Sequence, residues 1–365
     1  MTEPTVSNGS IEELRKVIDA TDAELFGLLE KRAKLARSIG KLKAAGAVYK
    51  PEREREIFER TVARAKTEGT LMSEEAIRSI VREIISACRA VEAMPRVAFL
   101  GPRGTFTEEA VIRQFGSSIK ALPCGSLDEV FHEAASGTAD FAVVPVENST
   151  EGIVTRTADL LLTTPLKVIG EVNVAVHHNL MNRSGKREDI VEVHAHPQAL
   201  AQCRLWLMTH LPQAKLVPSS SNAQAAKEAT ADPKVAALAA ERAAALYELH
   251  IAAHAVEDDP RNCTRFLVLG KESCGKAQNV LHKTSLIFSV PNRAGALLDA
   301  LAPFAKHKVS MVRLESRPAR NGAWDYNFYV DVDGHIEDEP ISKAVEELGQ
   351  IALYLKILGS YTAAY

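Results

Sequence analysis

IEELRKVIDATDAELFGLLEKRAKLARSIGKL, residues 11–42, reads as one long amphipathic helix. Its apolar stripe runs Leu14, Ile18, Leu25, Leu28, Leu29, Leu35, Ile39 and Leu42, at helical spacing. Arg32 falls inside that stripe. An unpaired buried guanidinium is costly, so an anion should meet it. Arg15 and Lys43 lie near the same face, and residues 31–43 hold six basic and no acidic side chains. The missing anion can be a ligand; alternatively Arg32 snorkels to the surface or pairs with an acid of another helix. Arg15 and Arg32 are 17 residues apart, about 25 Å along a straight helix. If both serve one small anionic site, two chains must interleave.

Working outward, residues 1–94 carry 17 basic and 16 acidic residues and read as nearly all helix. Ser10 with Glu13 forms a capping box for the first helix. A second helix follows Pro51, Gly69 breaks it, and Ser73 caps a third that runs to about Glu92. So small a helical piece has little core of its own, and dimerisation is expected to supply it. The chain as a whole has 365 residues, enough for two or three domains; it is 46% hydrophobic, 25% charged and carries a net charge of −3. That balance argues against a nucleic-acid binder. MTEPTVSNGS lacks the basic and apolar regions of a signal peptide, and no apolar run is long enough to span a bilayer, so no membrane association is expected. Five cysteines without a CxxC suggest reduced thiols and a cytoplasmic setting.

At Pro95 the texture changes to strands alternating with helices. RVAFL (96–100), FAVVPVE (141–147) and KVIGEVNVAVHH (167–178) read as strands, with capping boxes at Thr105/Glu108 and Ser126/Glu129. Helices are expected at 198–210, 222–230 and 241–249. The alternation predicts an α/β domain over 95–271 with a mostly parallel sheet. KESCGKAQNVLHK (271–283) leads into a third segment, 272–365. Its order is strand 284–290, helix 294–307, strands 309–317 and 323–332, helix 340–349 and strand 351–359, the βαββαβ ferredoxin-like order.

Several motifs carry chemistry. GPRGTF (101–106) follows a strand and opens a helix, as either a plain turn or an anion cradle. Neither GK[ST] nor GxGxxG is present, and no cofactor is expected. VPVENS (144–149) ends an apolar strand, either as a polar turn or as a ligand-binding strand end. NCTRF (262–266) sets hydroxyl and amide groups beside another strand. Thr264 is too weak an acid to deliver a full proton, but it can donate a hydrogen bond to a leaving oxygen. His177, His178, His194 and His196 lack further ligands at metal spacing, so no metal is expected.

GPRGTF, VPVENS, HPQALAQC (196–203), NCTRF, GALL (295–298) and ESRP (315–318), in that order, resemble the bifunctional chorismate mutase–prephenate dehydratases of phenylalanine biosynthesis. The resemblance implies a multidomain chain: an all-α chorismate mutase module, an α/β two-subdomain prephenate dehydratase and an α+β ferredoxin-like ACT regulatory domain. It maps substrate-binding cations of the mutase onto Arg15, Arg32, Lys43 and Arg53, with Glu54 beside them. It also implies an interlocked homodimer, or a higher homo-oligomer, in which Arg15 reaches the partner's site. Glu92 stands where the family often has a glutamine that donates to the ether oxygen, and Cys88 where a serine is common. A carboxylate donates only when protonated, so on this reading mutase turnover falls as pH rises and Glu92 ionises. A family aspartate is replaced by Lys50 or a neighbour. In the dehydratase the resemblance implies that Thr264 hydrogen-bonds the leaving hydroxyl. Thr105, Asn148, Ser149 and Gln202 then orient prephenate, Arg265 and Phe266 shape the motif, Glu147 is a possible acid, and Ser219, Ser220 and Ser221 form a polar lip. Gly295, Ala296, Leu297 and Leu298 would contact phenylalanine in the ACT domain, with Glu315, Ser316, Arg317 and Pro318 framing the pocket for feedback inhibition. Two rival readings remain: a dehydratase whose mutase module has decayed, and a non-catalytic amino-acid sensor.

Overall fold

The computed structural model describes residues 10–42, 49–319 and 326–364. Three helices come first: α1 (Ile11–Leu42), α2 (Pro51–Glu68) and α3 (Glu74–Glu92). The capping box forms as read, with Ser10 N–H donating to Glu13 at 2.8 Å and Glu13 N–H to Ser10 Oγ at 3.3 Å. Ser73 caps α3 by accepting from Ala76 N–H. None of the residues of α1 is buried. Its stripe lies open, with Leu28 65% exposed and Leu35 58% exposed, although each such side chain would contribute about 1.5–3 kcal/mol if fully covered. Arg32 and Gly40 reach α3: Arg32 donates to the Ile84 carbonyl, and Gly40 faces Glu92 so closely that a Cβ there would strike it.

The next domain has two lobes. The first is built from β1 (Arg96–Leu100), α4 (Phe106–Phe115), β2 (Lys120–Cys124), α5 (Leu127–Ser136), β3 (Phe141–Asn148), β4 (Gly152–Ile153), α6 (Thr155–Thr163) and β5 (Lys167–Ala175). The second follows with β6 (Asn179–Asn182), a 3-10 turn, β7 (Glu192–Ala195), α7 (Pro197–Gln202), α8 (Arg204–His210), β8 (Lys215–Pro218), α9 (Asn222–Ala229), β9 (Val235–Ala239), α10 (Glu241–Tyr247) and β10 (His250–Ala253). The chain then returns to the first lobe as β11 (Cys263–Gly270), giving sheet orders β2-β1-β3-β11-β5 and β10-β6-β9-β7-β8. Both sheets are mixed rather than mostly parallel. β11 enters antiparallel between β3 and β5, and β6 pairs antiparallel with β9 and β10. This return after the whole second lobe leaves no local pattern to read. The helix expected at 198–210 breaks at Cys203.

The last domain, β12 (His282–Ser289), α11 (Ala296–Lys306), β13 (Met311–Pro318), β14 (Tyr326–Asp333), α12 (Glu339–Ile351) and β15 (Tyr354–Thr362), forms the βαββαβ sheet β13-β14-β12-β15. The start of the strand expected at 323–332 lies outside the described residues. One sheet face carries α11 and α12. The other shares a core with the first lobe, where Ile287, Tyr329, Leu358 and Tyr361 pack with Val144, Val146 and Leu267. Gly359 permits this approach, since a Cβ there would collide with the Val168 carbonyl oxygen of β5. The helical module docks on the same lobe from another side. Tyr49, 4% exposed, inserts between Phe115 and Phe141 and accepts from Gln114 at 2.5 Å.

Candidate active sites

Between the two lobes lies a cleft of about 1110 Å³ lined by residues of both, including Thr105, Asn148, His178, Gln202, Ser220, Ser221, Asn262, Thr264 and Phe266. The GPRGTF turn enters it as a rigid piece. Thr105 caps α4 by accepting from Glu108 N–H, and the buried Glu108 carboxylate accepts from Gly104 N–H at 2.6 Å and Arg103 at 2.9 Å, with Arg242 at 3.3 Å. Burial raises the Glu108 carboxyl, but the Gly104 amide and the two guanidiniums together hold it below its ordinary range.

A closed ring of hydrogen bonds occupies the mouth of β3 and β11. Asn148 Oδ1 accepts from the backbone N–H groups of Thr150 and Glu151, which fixes its Nδ2 as the donor end. Asn148 Nδ2 then donates to Asn262 Oδ1 at 2.9 Å and to Thr264 Oγ1 at 2.8 Å. Asn262 Nδ2 donates to Gln202 Oε1, Gln202 Nε2 donates to Thr150 Oγ1, and the Thr150 hydroxyl closes the ring on Asn148 Oδ1 at 2.6 Å. Because Gln202 Oε1 is an acceptor, His178 Nε2, 2.9 Å away, must carry the proton. Burial lowers the His178 pKa and favours this neutral form. Its Nδ1 is buried without a partner and stays free to accept. With Thr264 Oγ1 already accepting from Asn148, its own hydrogen is left to donate into the cleft. Thr150, Asn262 and His178 were not singled out as site residues from the sequence.

Other expected residues fall elsewhere. Ser149 Oγ accepts from Cys263 N–H and laces the two strand ends together. Glu147 and Arg265 do not line the cleft: strand alternation turns them to the opposite face of the sheet. There Glu147 meets Arg313 at 2.9 Å, and Arg265 meets Glu171 and Asp331. Ser219 donates to Glu228, while Ser221 caps α9 at the cleft rim.

In the helical module, Arg32, Glu54, Cys88 and Glu92 come from three helices. Glu54 is held at 2.5 Å by Arg89, a residue the sequence reading did not single out. Arg89 is 5% exposed, stacks over the rings of Tyr49 and Phe115, and donates to the Phe115 carbonyl of the next domain. Burial raises the Glu54 carboxyl, with Arg89 and then Arg32 acting against it. Cys88 is buried, and Glu92 is half-buried rather than enclosed. Arg53 points outward to Glu56 at 3.0 Å, away from Glu54, and Arg15 is exposed on α1. Lys43 lies outside the described residues.

In the last domain, Gly295 takes a left-handed φ of +80° to open α11, Ala296 is buried, Leu297 is half-buried, and Leu298 is 73% exposed. Glu315 and Arg317 alternate with the exposed Ser316 and Pro318 along edge strand β13, and Arg317 faces Asp159 of α6 at 3.5 Å. Among the described residues, no group of three or more His, Cys, Asp or Glu side chains converges as metal ligands, and no helix is long and apolar enough to cross a membrane.

A helical module, a two-lobed cleft with a polar ring at its strand ends and a ferredoxin-like domain docked behind it follow one another along the chain. The sequence matches Chorismate mutase type II over residues 14–93, Prephenate dehydratase over 97–274 and the ACT domain over 284–350. It is 44% identical to the bifunctional chorismate mutase/prephenate dehydratase of Neisseria gonorrhoeae, covering 97% of this chain and 99% of the relative. It is 42% identical to that of Aquifex aeolicus, covering 97% and 98%. A solved prephenate dehydratase from Arthrobacter aurescens, in complex with L-Phe, superposes with a TM-score of 0.68 at 36% identity, covering 73% of this chain and 90% of that one. The chain belongs to the bifunctional chorismate mutase/prephenate dehydratase family.

Proposed function

We propose that the protein rearranges chorismate to prephenate, converts prephenate to phenylpyruvate, water and carbon dioxide, and is inhibited by phenylalanine. The observation that carries the dehydratase assignment is the hydrogen-bond ring, in which Thr264 Oγ1 accepts from Asn148 and so has its own hydrogen to offer a substrate oxygen. Prephenate loses its carboxylate as carbon dioxide while the ring hydroxyl departs, and aromatisation drives the step. Thr264 hydrogen-bonds the leaving oxygen and stabilises its developing charge. Asn148, Gln202 and Phe266 position the ring, and the two carboxylates meet the cleft-facing amino ends of α4 and α9, capped by Thr105 and Ser221.

The mutase reaction needs no covalent intermediate, only a cationic site that holds a dianion in its compact conformer. Arg32, Lys43 and Arg53, with Glu54, would form that site. Arg15 would come from a second copy, whose α1 would cover the open stripe, and Glu92 would serve the ether oxygen when protonated. Arg53 would have to swing from Glu56 to take part. Phenylalanine would bind between Gly295–Leu298 of one ACT domain and Glu315–Pro318 of another. We assign the protein to the cytoplasm, in keeping with its five free cysteines.

One incubation tests the reading. Purified protein given chorismate should produce phenylpyruvate, and added phenylalanine should suppress it. Accumulation of prephenate alone, or no consumption of chorismate, would contradict it.

A further inference from the structure

Two consecutive cross-strand pairs join β3 and β11: Thr264 faces Asn148, and Arg265 faces Glu147. The first pair belongs to the cleft. The second points the other way, into the ACT domain. There β13 and β14 present a pair of their own, Arg313 opposite Asp331, with the charges crossed. Glu147 meets Arg313 at 2.9 Å and Arg265 meets Asp331 at 2.5 Å, so each catalytic strand is tied to a different ACT strand.

On the Arg265 side the surroundings make this a fixed joint rather than a surface contact. Arg265 Nε donates to Glu171 at 2.7 Å and Nη2 to the Tyr361 hydroxyl at 2.9 Å. Glu171 also accepts from Lys283 Nζ and Ala364 N–H, and Asp331 accepts from Ser285 at 2.5 Å. The side chains of Glu171 and Asp331 are 0% and 6% exposed. Arg265, Lys283 and Arg313 balance Glu147, Glu171 and Asp331, so the cluster is neutral. Buried ion pairs of this kind are weak evidence for stability, because the cost of desolvating the charges offsets their attraction. The Glu147–Arg313 arm is the looser one, because Glu147 is 39% exposed and Arg313 keeps Nη2 buried without a partner.

We infer that Glu147 and Arg265 are positioning residues, through which β13 and β14 of the ACT domain set the placement of Asn148 and Thr264 in the cleft. The inference rests on the reading of Thr264 and Asn148 as dehydratase groups. β13 ends in Glu315–Pro318, two residues beyond Arg313. A ligand that shifts this strand therefore moves Arg313, and with it Glu147 and its neighbour Asn148. The coupling is reciprocal: phenylalanine and prephenate should change each other's affinity by the same factor.

The test removes the tie in the full-length protein, with Glu147→Gln, Arg313→Gln and the double variant; a charge swap would set an arginine opposite Arg265 and a glutamate opposite Asp331. Each single change should lower kcat for prephenate roughly tenfold with little change in KM, as expected when reacting groups are misplaced. Phenylalanine should still bind each variant, by calorimetry, yet no longer inhibit it. The double variant should be no more defective than either single one, because both changes remove the same tie, whereas two independent destabilisations would add. Mutase turnover of chorismate should stay at the wild-type level in all three. Single variants with wild-type kcat and wild-type inhibition, a rise in KM alone, or defects that add in the double variant would overturn the inference. Wild-type protein that leaves prephenate untouched would instead sink the functional reading on which this rests.

Discussion

Thr264 and Arg32 sit in opposite kinds of surroundings. Around Thr264 both lobes of one chain close a ring of donors and acceptors, and the groups that face the cleft are placed by others buried behind them. Around Arg32 the helix that carries it buries none of its residues, and its leucines face outward. Arg15, the other cation expected of that site, stands about 25 Å along the same helix. The first site is finished within a chain, whereas on the proposed reading the second takes Arg15 from another copy. The difference teaches where each activity should break: dehydration with changes inside one cleft, rearrangement with changes at a seam between chains.

The largest expected effect separates the two sites outright. Thr264→Val keeps the β-branched shape and removes the donor, so dehydratase turnover should fall about 10²–10³-fold, the cost of one lost donor to a developing oxyanion. Mutase turnover in the same sample should be unchanged, and assaying prephenate formation against phenylpyruvate formation checks both. Next comes Arg89→Met, which strands Glu54 in a buried position; breaking a buried pair costs about 3–5 kcal/mol. A carboxyl raised in the folded state binds more protons folded than unfolded. Its contribution is therefore present at low pH and is lost as pH rises above Glu54's ordinary value of 4.5. Without Arg89 opposing the burial, thermal unfolding should show stability falling more steeply with pH above that point than in wild type, and mutase turnover should fall with it. The smallest effect is Gly359→Ala, which forces β15 away from Val168 and should cost about 1–3 kcal/mol of overpacking. Phenylalanine inhibition should weaken while both basal activities persist, as read by inhibition curves at constant prephenate.

Much of this was legible in the residues. Spacing drew α1–α3, the capping boxes at Ser10, Thr105 and Ser126 and the N-cap at Ser73 marked helix starts, and the βαββαβ order marked the last domain. What escaped has physical reasons. β11 returns to the first lobe after the whole second lobe, a long-range pairing with no local signature. Glu147 and Arg265 were read from their motifs as substrate groups, although strand alternation already opposes them to Asn148 and Thr264. Arg89 carried the same signal as Arg32, a cation four residues after Ile85 on the apolar face of α3, and could have been found that way. His178 was weighed only as a metal ligand. Asn262 lies within NCTRF, but nothing local in the sequence shows that its amide bridges Asn148 to Gln202 of the other lobe. Tyr49 gave no sign, since a lone tyrosine between helices does not announce the core it enters.

Subunit mixing tests the two-copy requirement most directly. Arg15→Ala and Arg32→Ala should each lose mutase turnover and keep dehydratase turnover. If every mutase site takes Arg32 from one chain and Arg15 from the other, equal co-expression should restore about a quarter of the wild-type mutase rate, because half the dimers are mixed and each mixed dimer holds one intact site. A mixture as inactive as its parents would contradict the account.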